Sequence, residues 1–225
     1  MKTSSTHAHR KSLDAGFAAV QNELLRMAGL LDQTIDQSIQ ALRNRDAELA
    51  RRIVEGDAVF NRLRFEVEEA CLALIATQQP AAGDLRAIMA MDSIAVELER
   101  MADHAEGIAK IVLRLGNEAL VRPLQEIPEM ADIARRMLRG SLDAFIARDP
   151  EAAHRVGVED DAIDHLYNEL FDEMVALMAR DPSTVSRGTY LLWCAHNLER
   201  IGDRITNIAE RVIFMTTGDF REINW

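Results

Sequence analysis

Residues 196–213 read HNLERIGDRITNIAERVI, and residues 96–113 read VELERMADHAEGIAKIVL. Both stretches carry the phrase L-E-R-x-x-D, and the two copies stand 100 residues apart. In each copy the apolar residues recur at an average spacing of about 3.5, the pattern of a helix that buries one side against other helices. The repeated phrase therefore predicts two equivalent amphipathic helices, one in each half of the chain.

The repeat continues upstream of these two helices. Residues 41–63 align with residues 144–166 at a spacing of 103, and an Arg-Asp pair precedes a helical pattern in both segments. Asp is a favoured N-cap residue, while Pro and Gly mark the other breaks in the periodicity. Six helices are predicted, at about 13–43, 47–78, 84–115, 129–147, 150–180 and 184–217.

A duplicated set of three helices predicts an all-α fold made of two tandem three-helix bundles. The stretch 116–128, GNEALVRPLQEIP, contains one Gly and two Pro residues and is the predicted linker. We therefore expect a first bundle over residues 1–116 and a second bundle over residues 117–225.

The composition narrows the class of protein. The chain has 225 residues, of which 48% are hydrophobic and 5% aromatic, and its net charge is −11. This charge argues against a nucleic-acid-binding protein, which needs a clustered positive face.

The chain begins with no signal-peptide pattern and contains no apolar run of membrane-spanning length, so a cytoplasmic protein is expected. Cys71 and Cys194 lie in apolar helical stretches and are expected to be buried thiols.

Acidic residues follow the repeated phrase at helical spacing. Glu199, Asp203 and Asn207 are four positions apart, and rotation places this row on the side of the helix opposite its core stripe. Glu99 and Asp103 repeat the row in the first half. Carboxylates at i and i+4 repel each other unless a positive charge lies between them. A recurring row of this kind favours a cation-binding face.

A solvated, salt-bridged surface is the alternative explanation, because each copy also contains basic residues. The candidate pairs are Arg200 with Asp203, Arg100 with Asp103, and Glu106 with Lys110. Such exposed pairs typically contribute only tenths of a kcal/mol.

A second acidic set lies on the neighbouring helices. Asp57 and Asn61 in the first half match Asp160 and Asp164 in the second, again four positions apart. Two such rows on adjacent helices offer oxygen ligands, which suit Mg²⁺, Mn²⁺, Ca²⁺ or Fe³⁺. The sequence therefore predicts an open metal site in each half. In the first half Gly107 takes the place of Asn207, and His104 or Glu106 could compensate for the missing ligand.

Three segments resemble the PhoU family of phosphate-uptake regulators. They are LERIGDR-x-x-NIAERVI-x-x-x-TG at 198–218, LERMADHAEGIAK at 98–110 and ATQQPAAGDLR at 76–86. The resemblance implies that each half is a three-helix bundle whose motif binds metal ions, iron or zinc clusters among them. It supports as ligands the acidic rows of both halves: Glu199, Asp203, Asn207, Asp160 and Asp164 in the second half, and Glu99, Asp103, Asp57 and Asn61 in the first.

The resemblance also implies a function without catalysis. A PhoU-like protein would restrain phosphate uptake when phosphate is abundant, as a homodimeric adaptor that contacts the ATPase subunit of a Pst-type transporter and a PhoR-type sensor histidine kinase. Membrane contact would be indirect, through these partners. Asp84 would then belong to a partner contact, although a helix N-cap explains it equally well.

Two alternatives need no such adaptor. A metal-storage or metal-dependent enzyme bundle would use a motif such as Glu151-x-x-His154 on two helices around a shared core. The matched first-half positions are Glu48 and Arg51, so this motif is not repeated. A helical scaffold without metal is the other alternative.

Overall fold

The computed structural model describes residues 2–116, 118–219 and 222–223, with side chains from Arg10 onward. Within this part of the chain the regular structure is entirely helical and comprises eight α-helices. They are α1 (Lys2–Asn44), α2 (Ala47–Gly56), α3 (Ala58–Gln78), α4 (Ala82–Leu115), α5 (Glu126–Ala147), α6 (Pro150–Val158), α7 (Asp160–Arg180) and α8 (Val185–Thr217). A single 3-10 turn, Pro182–Thr184, precedes α8.

Two of the six predicted helices are divided by a bend. The predicted helix 47–78 is interrupted at Asp57, where the Phe60 N–H donates to the Asp57 carbonyl oxygen at 2.9 Å in a tighter, three-residue turn. The predicted helix 150–180 is interrupted at Glu159, whose carbonyl oxygen accepts from the Ala162 N–H at 3.2 Å. The first helix is longer than predicted and begins at Lys2 instead of about residue 13.

Helix ends follow the predicted capping residues at several points. The carboxylate of Asp46 accepts hydrogen bonds from the Glu48 and Leu49 N–H groups at the start of α2. Asp149 caps α6 in the same way, with Pro150 in the first turn. Gly218 ends α8 with φ 83°, a left-handed conformation that glycine adopts without strain. Asp84, by contrast, does not cap α4, and its carboxylate accepts from Arg10 Nη1 at 2.9 Å.

Helices α4 and α8 form the centre of the molecule and pack against each other. Around α4 pack α1, α2 and α3, and around α8 pack α5, α6 and α7. Leu98 on α4 and its repeat equivalent Leu198 on α8 are both fully buried in the shared core. The prediction of an all-α fold with a duplicated set of helices is confirmed. The boundary between residues 116 and 117 stays a prediction, and Asn117 lies outside the described residues.

The α4–α8 interface contains two polar pairs that the repeat relates to each other. The Nη1 of Arg204 lies 3.4 Å from Oε2 of Glu97. The Nδ1 of His104 lies 3.0 Å from Oδ1 of Asn197. Positions 97 and 197 match in the repeat, as do 104 and 204, so each pair joins one residue from each half across an antiparallel helix pair. The two halves therefore meet about a local two-fold axis.

A second contact between the halves joins α1 and α5. The guanidinium of Arg135 contacts Asp32 at 3.0 Å and Asp36 at 2.7 Å.

The two cysteines are buried free thiols. Among the described helices, none has the length and apolar character needed to cross a bilayer.

Candidate metal site

The acidic row of α8 faces the start of α7, so three of the five predicted second-half ligands, Asp160, Asp203 and Asn207, line one cavity. Asp160 is the first residue of α7, and its Oδ2 accepts from Thr206 Oγ1 of α8 at 3.4 Å. A cavity of about 230 Å³ opens here. We call it the second-half groove; it is lined by Asp160, Arg200, Asp203, Arg204, Thr206, Asn207 and Glu210.

Gly202 makes room for the Asp160 carboxylate. A Cβ atom at position 202 would lie 2.2 Å from Asp160 Oδ1, far inside van der Waals contact. Because Gly202 has no side chain, Asp160 is only 2% exposed against α8. Among the predicted ligands it is the one that lies fully inside the protein surface.

Burial, and then electrostatic repulsion, raises the pKa of three carboxylates at or beside this groove. Burial, followed by repulsion from Asp164 and Asp203, raises the pKa of Asp160 to about 7. Burial and the Asp203 charge also raise the pKa of Asp164 and of Glu199. Several negative charges therefore share one partly dry space, an arrangement that a cation would stabilise.

Two basic side chains of α8 partly neutralise this row. Arg200 Nη1 lies 2.6 Å from Asp203 Oδ2, and His196 Nδ1 lies 3.2 Å from Glu199 Oε2. The Arg200–Asp203 pair is one that the salt-bridge interpretation predicted. No group of three or more His, Cys, Asp or Glu side chains in the described chain is arranged to hold a metal ion. The carboxylates share a groove without converging on one point.

The first half holds its predicted ligands differently. Asp57 lies at the bend between α2 and α3, and it is half-buried where Asp160 is buried. At the position that matches Gly202 the first half has Ala102, which carries the Cβ that Gly202 lacks. Burial, then repulsion from Glu106 and Asp103, raises the pKa of Asp57 to about 6. Asn61 is also half-buried, whereas Asp103 is exposed.

Two basic side chains lie next to acidic residues at the first-half row. Arg64 Nε lies 3.8 Å from Glu99 Oε1, and Lys110 Nζ lies 2.6 Å from Glu106 Oε2. The position matching Arg64 is Tyr167, and the position matching Lys110 is Glu210. The first-half row thus has internal cations where the second half has a neutral and an acidic residue.

The place of Gly107 is explained by the α4–α8 interface. A Cβ atom at position 107 would lie 2.9 Å from Asn197 Oδ1, the atom that pairs with His104. Gly107 therefore accommodates an interhelical contact. The two residues suggested as replacement ligands already have partners: His104 pairs with Asn197, and Glu106 pairs with Lys110.

The rows are less exposed than rotation about a single helix suggested. Glu199 and Glu99 retain 21% and 16% side-chain exposure. The neighbouring helices cover part of this side, because Asp160 of α7 contacts Thr206 of α8 and Arg64 of α3 lies beside Glu99 of α4. Sequence reasoning missed Thr206 and Glu210 as lining residues, although both lie on the same helix as the row. It also missed the role of Gly202, which the unequal pair Gly202 and Ala102 could have indicated.

A separate cavity of about 300 Å³ lies between α1 and α5 and contains none of the predicted ligands. Its walls include Leu25, Leu138 and Leu142. The predicted ligands lie on or beside α4 and α8 instead.

Fold and site together define a class: a duplicated all-α protein whose two halves each carry an acidic row on a central helix. The PhoU domain family matches residues 24–112 and again residues 127–212, and the chain belongs to this family. A Rhizobium meliloti protein named phosphate-specific transport system accessory protein PhoU homolog is 36% identical, over 95% of this chain and 91% of its own length.

Solved structures agree with this assignment. The crystal structure of PhoU from Pseudomonas aeruginosa superposes with a TM-score of 0.87 at 33% identity, covering 92% of this chain and 99% of that protein. The phosphate transport system regulatory protein PhoU from Streptococcus pneumoniae gives a TM-score of 0.87 at 31% identity, covering 93% and 99%. The two family matches also confirm that the duplication spans both halves.

Proposed function

We propose that this chain is a cytoplasmic, non-enzymatic regulator of phosphate uptake, an accessory protein of a phosphate-specific transport system. The observation that carries the proposal is the match of both halves to the PhoU family, with relatives named as accessory or regulatory proteins of phosphate transport. In finer detail, it restrains uptake and represses the Pho response when phosphate is abundant. Its partners are the ATPase subunit of a Pst-type transporter and a PhoR-type sensor kinase.

The adaptor role fits a molecule built of long helices. Helices α1, α4 and α8 have 43, 34 and 33 residues, and extended helical faces are a common means of docking to other proteins. The net charge of −11 favours basic partner surfaces and fast, salt-dependent association. Self-association into a homodimer belongs to the same proposal.

A strain lacking this gene tests the regulatory role. In high phosphate the deletion strain is expected to express a Pho-controlled phosphatase that the parent represses, and a plasmid copy of the gene should restore repression. Continued repression in the deletion strain would contradict the proposal. Retention of the transporter ATPase subunit and of the sensor kinase on the purified, immobilised chain tests the two partners separately.

We further propose that the second-half groove binds a metal ion. Asp160, Asp203 and Asn207 line this groove, and Asp164 and Glu199 lie close enough to raise the pKa of Asp160. All five side chains offer oxygen, which suits a hard or borderline cation. Mg²⁺ or Mn²⁺ suits such a set with water completing the shell, and Fe or Zn is consistent with the family resemblance. In the first half, where Glu99, Asp103, Asp57 and Asn61 are the candidate ligands, Arg64 and Lys110 reduce the need for a bound cation.

The metal-enzyme alternative lacks comparable support. Glu151 and His154, its half-motif, are both exposed on α6. A di-metal centre requires such residues to face a shared core.

A further inference from the structure

The end of the chain returns to the second bundle after α8 has finished. Gly218 ends α8, yet the backbone N–H of Ile223 donates to Glu210 Oε1 at 2.9 Å. Glu210 lies two turns before the end of α8, so Ile223 lies back alongside this helix. Glu210 also lines the second-half groove.

Ile223 fits a gap on α6 that a glycine leaves open. A Cβ atom at Gly157 would lie 2.6 Å from Ile223 Cδ1 and 3.0 Å from its Cγ2. The Ile223 side chain is half-buried and packs against the hydrophobic core. Gly157 therefore serves as a niche for Ile223, inside a helix where glycine would otherwise be unfavourable.

The first half lacks both contact positions. Val54 matches Gly157 in the repeat, and its own side chain packs against the core. Lys110 matches Glu210 and pairs with Glu106. The segment that follows α4 leads to the other half instead, where Arg187 Nη1 donates to the Ala119 carbonyl oxygen at 3.2 Å. The two halves thus differ at the positions that receive the chain end.

We propose that the chain end is a strap of the second bundle: Ile223 docks in the Gly157 niche, and its N–H holds Glu210 at the rim of the second-half groove. A carboxylate that accepts one N–H on one oxygen keeps the other oxygen for a cation, and its rotamer is already ordered. The strap thereby strengthens divalent-cation binding in the groove. This second step rests on the proposed metal site, whereas the docking of Ile223 does not.

Gly157→Val tests the docking, since it installs the residue that the first half uses at this position and fills the niche. The readout is hydrogen exchange at the C-terminal peptide, with trimming by carboxypeptidase as a second measure. We expect the Ile223 N–H to be protected in the wild type and to exchange rapidly in Gly157→Val. Gly29→Val is the matched control, because a Cβ at this helical glycine meets no atom within 4 Å.

Equal exchange of Ile223 in the wild type and in Gly157→Val overturns the strap. Loss of protection in Gly29→Val as well would show a general loss of helix stability and would also overturn it. A chain shortened after Asp219 gives a second comparison that leaves α6 unchanged.

Mn²⁺ titration of the same proteins tests the coupling to the groove. We expect Gly157→Val and the shortened chain to bind Mn²⁺ about tenfold more weakly than the wild type, as for the loss of one charge-assisted hydrogen bond. Equal affinity in all three proteins overturns the coupling. Absence of Mn²⁺ binding by the wild type overturns the proposed metal site together with the coupling, and leaves the docking to be decided by hydrogen exchange.

Discussion

At the residue scale, the two halves differ by one methyl group beside the acidic row. Gly202 admits the carboxylate of Asp160, whereas the matched position in the first half is Ala102, which carries a Cβ. Asp160 is consequently buried and Asp57 is only half-buried. The phrase L-E-R-x-x-D is therefore the same in both halves, but the small residue inside it decides how deeply the neighbouring carboxylate is buried.

Gly202→Ala is expected to expel Asp160 from its place against α8. The new Cβ would lie 2.2 Å from Asp160 Oδ1, so the protein must shift or unfold locally. Overpacking of this kind typically costs about 1–3 kcal/mol, measured as the free energy of unfolding in urea. Gly29→Ala is the control, where added helix propensity without a clash predicts unchanged or higher stability. Equal stability of Gly202→Ala and wild type would contradict the packing described here.

Asp160→Asn is expected to flatten the dependence of stability on pH in the cation-free protein. The folded pKa of Asp160 is raised from 3.8 to about 7, so the folded state holds this proton more tightly than the unfolded chain. Stability from this group is therefore fullest below about pH 4 and is lost as the pH rises toward 7. The variant should be more stable than wild type at pH 8, by more than about 1 kcal/mol, with little gain at pH 4.

Denaturant titrations at several pH values provide the measurement for Asp160→Asn. Asp161→Asn, on the adjacent exposed residue, is the control and should leave the pH dependence of the wild type in place. A wild-type-like slope in Asp160→Asn would contradict the assignment of that slope to Asp160.

At the scale of elements, the pairing of α4 with α8 decides which motif residues are available. Asn197 reaches across from α8, pairs with His104 and lies over Gly107. The first copy of the motif thus lacks its third ligand because an interhelical contact uses that space. The contact between the two halves therefore makes the two acidic rows unequal at this position.

Restoring the motif by Gly107→Asn is therefore expected to lower stability without creating a site. Its Cβ would lie 2.9 Å from Asn197 Oδ1, and a typical cost is about 1–3 kcal/mol. A double-mutant cycle with Asn197→Ala should recover part of this loss in thermal unfolding, since the two side chains compete for one space. Gly83→Asn on the same helix, where a Cβ meets nothing within 4 Å, is the control. A stable Gly107→Asn variant with new Mn²⁺ binding would contradict this interpretation.

The elements also show what sequence patterns can predict. Caps such as Asp46, Asp149 and Gly218 act locally, and these helix ends were predicted correctly. The bends at Asp57 and Glu159 were not predicted, because both residues keep right-handed helical angles and only the hydrogen-bond spacing changes. Rotation about one helix identified the acidic rows but not the neighbours that turn them into grooves. The Ile223 contact was missed because a five-residue return has no periodicity.

At the scale of the whole molecule, duplication yields two similar bundles with different electrostatics. The first-half row carries Arg64 and Lys110, and the second half has Tyr167 and Glu210 at the matched positions. Joined through α4–α8 and α1–α5, the halves present a first-half row paired with Arg64 and Lys110 and a second-half groove whose acidic residues are only partly neutralised by Arg200 and His196. We expect the second-half groove to be the principal cation site of this PhoU-family protein.

A Mn²⁺ titration of two matched double variants tests this expectation most directly. Glu199→Gln/Asp203→Asn removes two charges from the second half, and Glu99→Gln/Asp103→Asn removes the equivalent two from the first. The account predicts that the second-half variant loses more than about tenfold in affinity, because oxygen-ligand sites depend on charge count, while the first-half variant binds as the wild type does. Equal affinity of the second-half variant and the wild type, or a greater loss in the first-half variant, would contradict it.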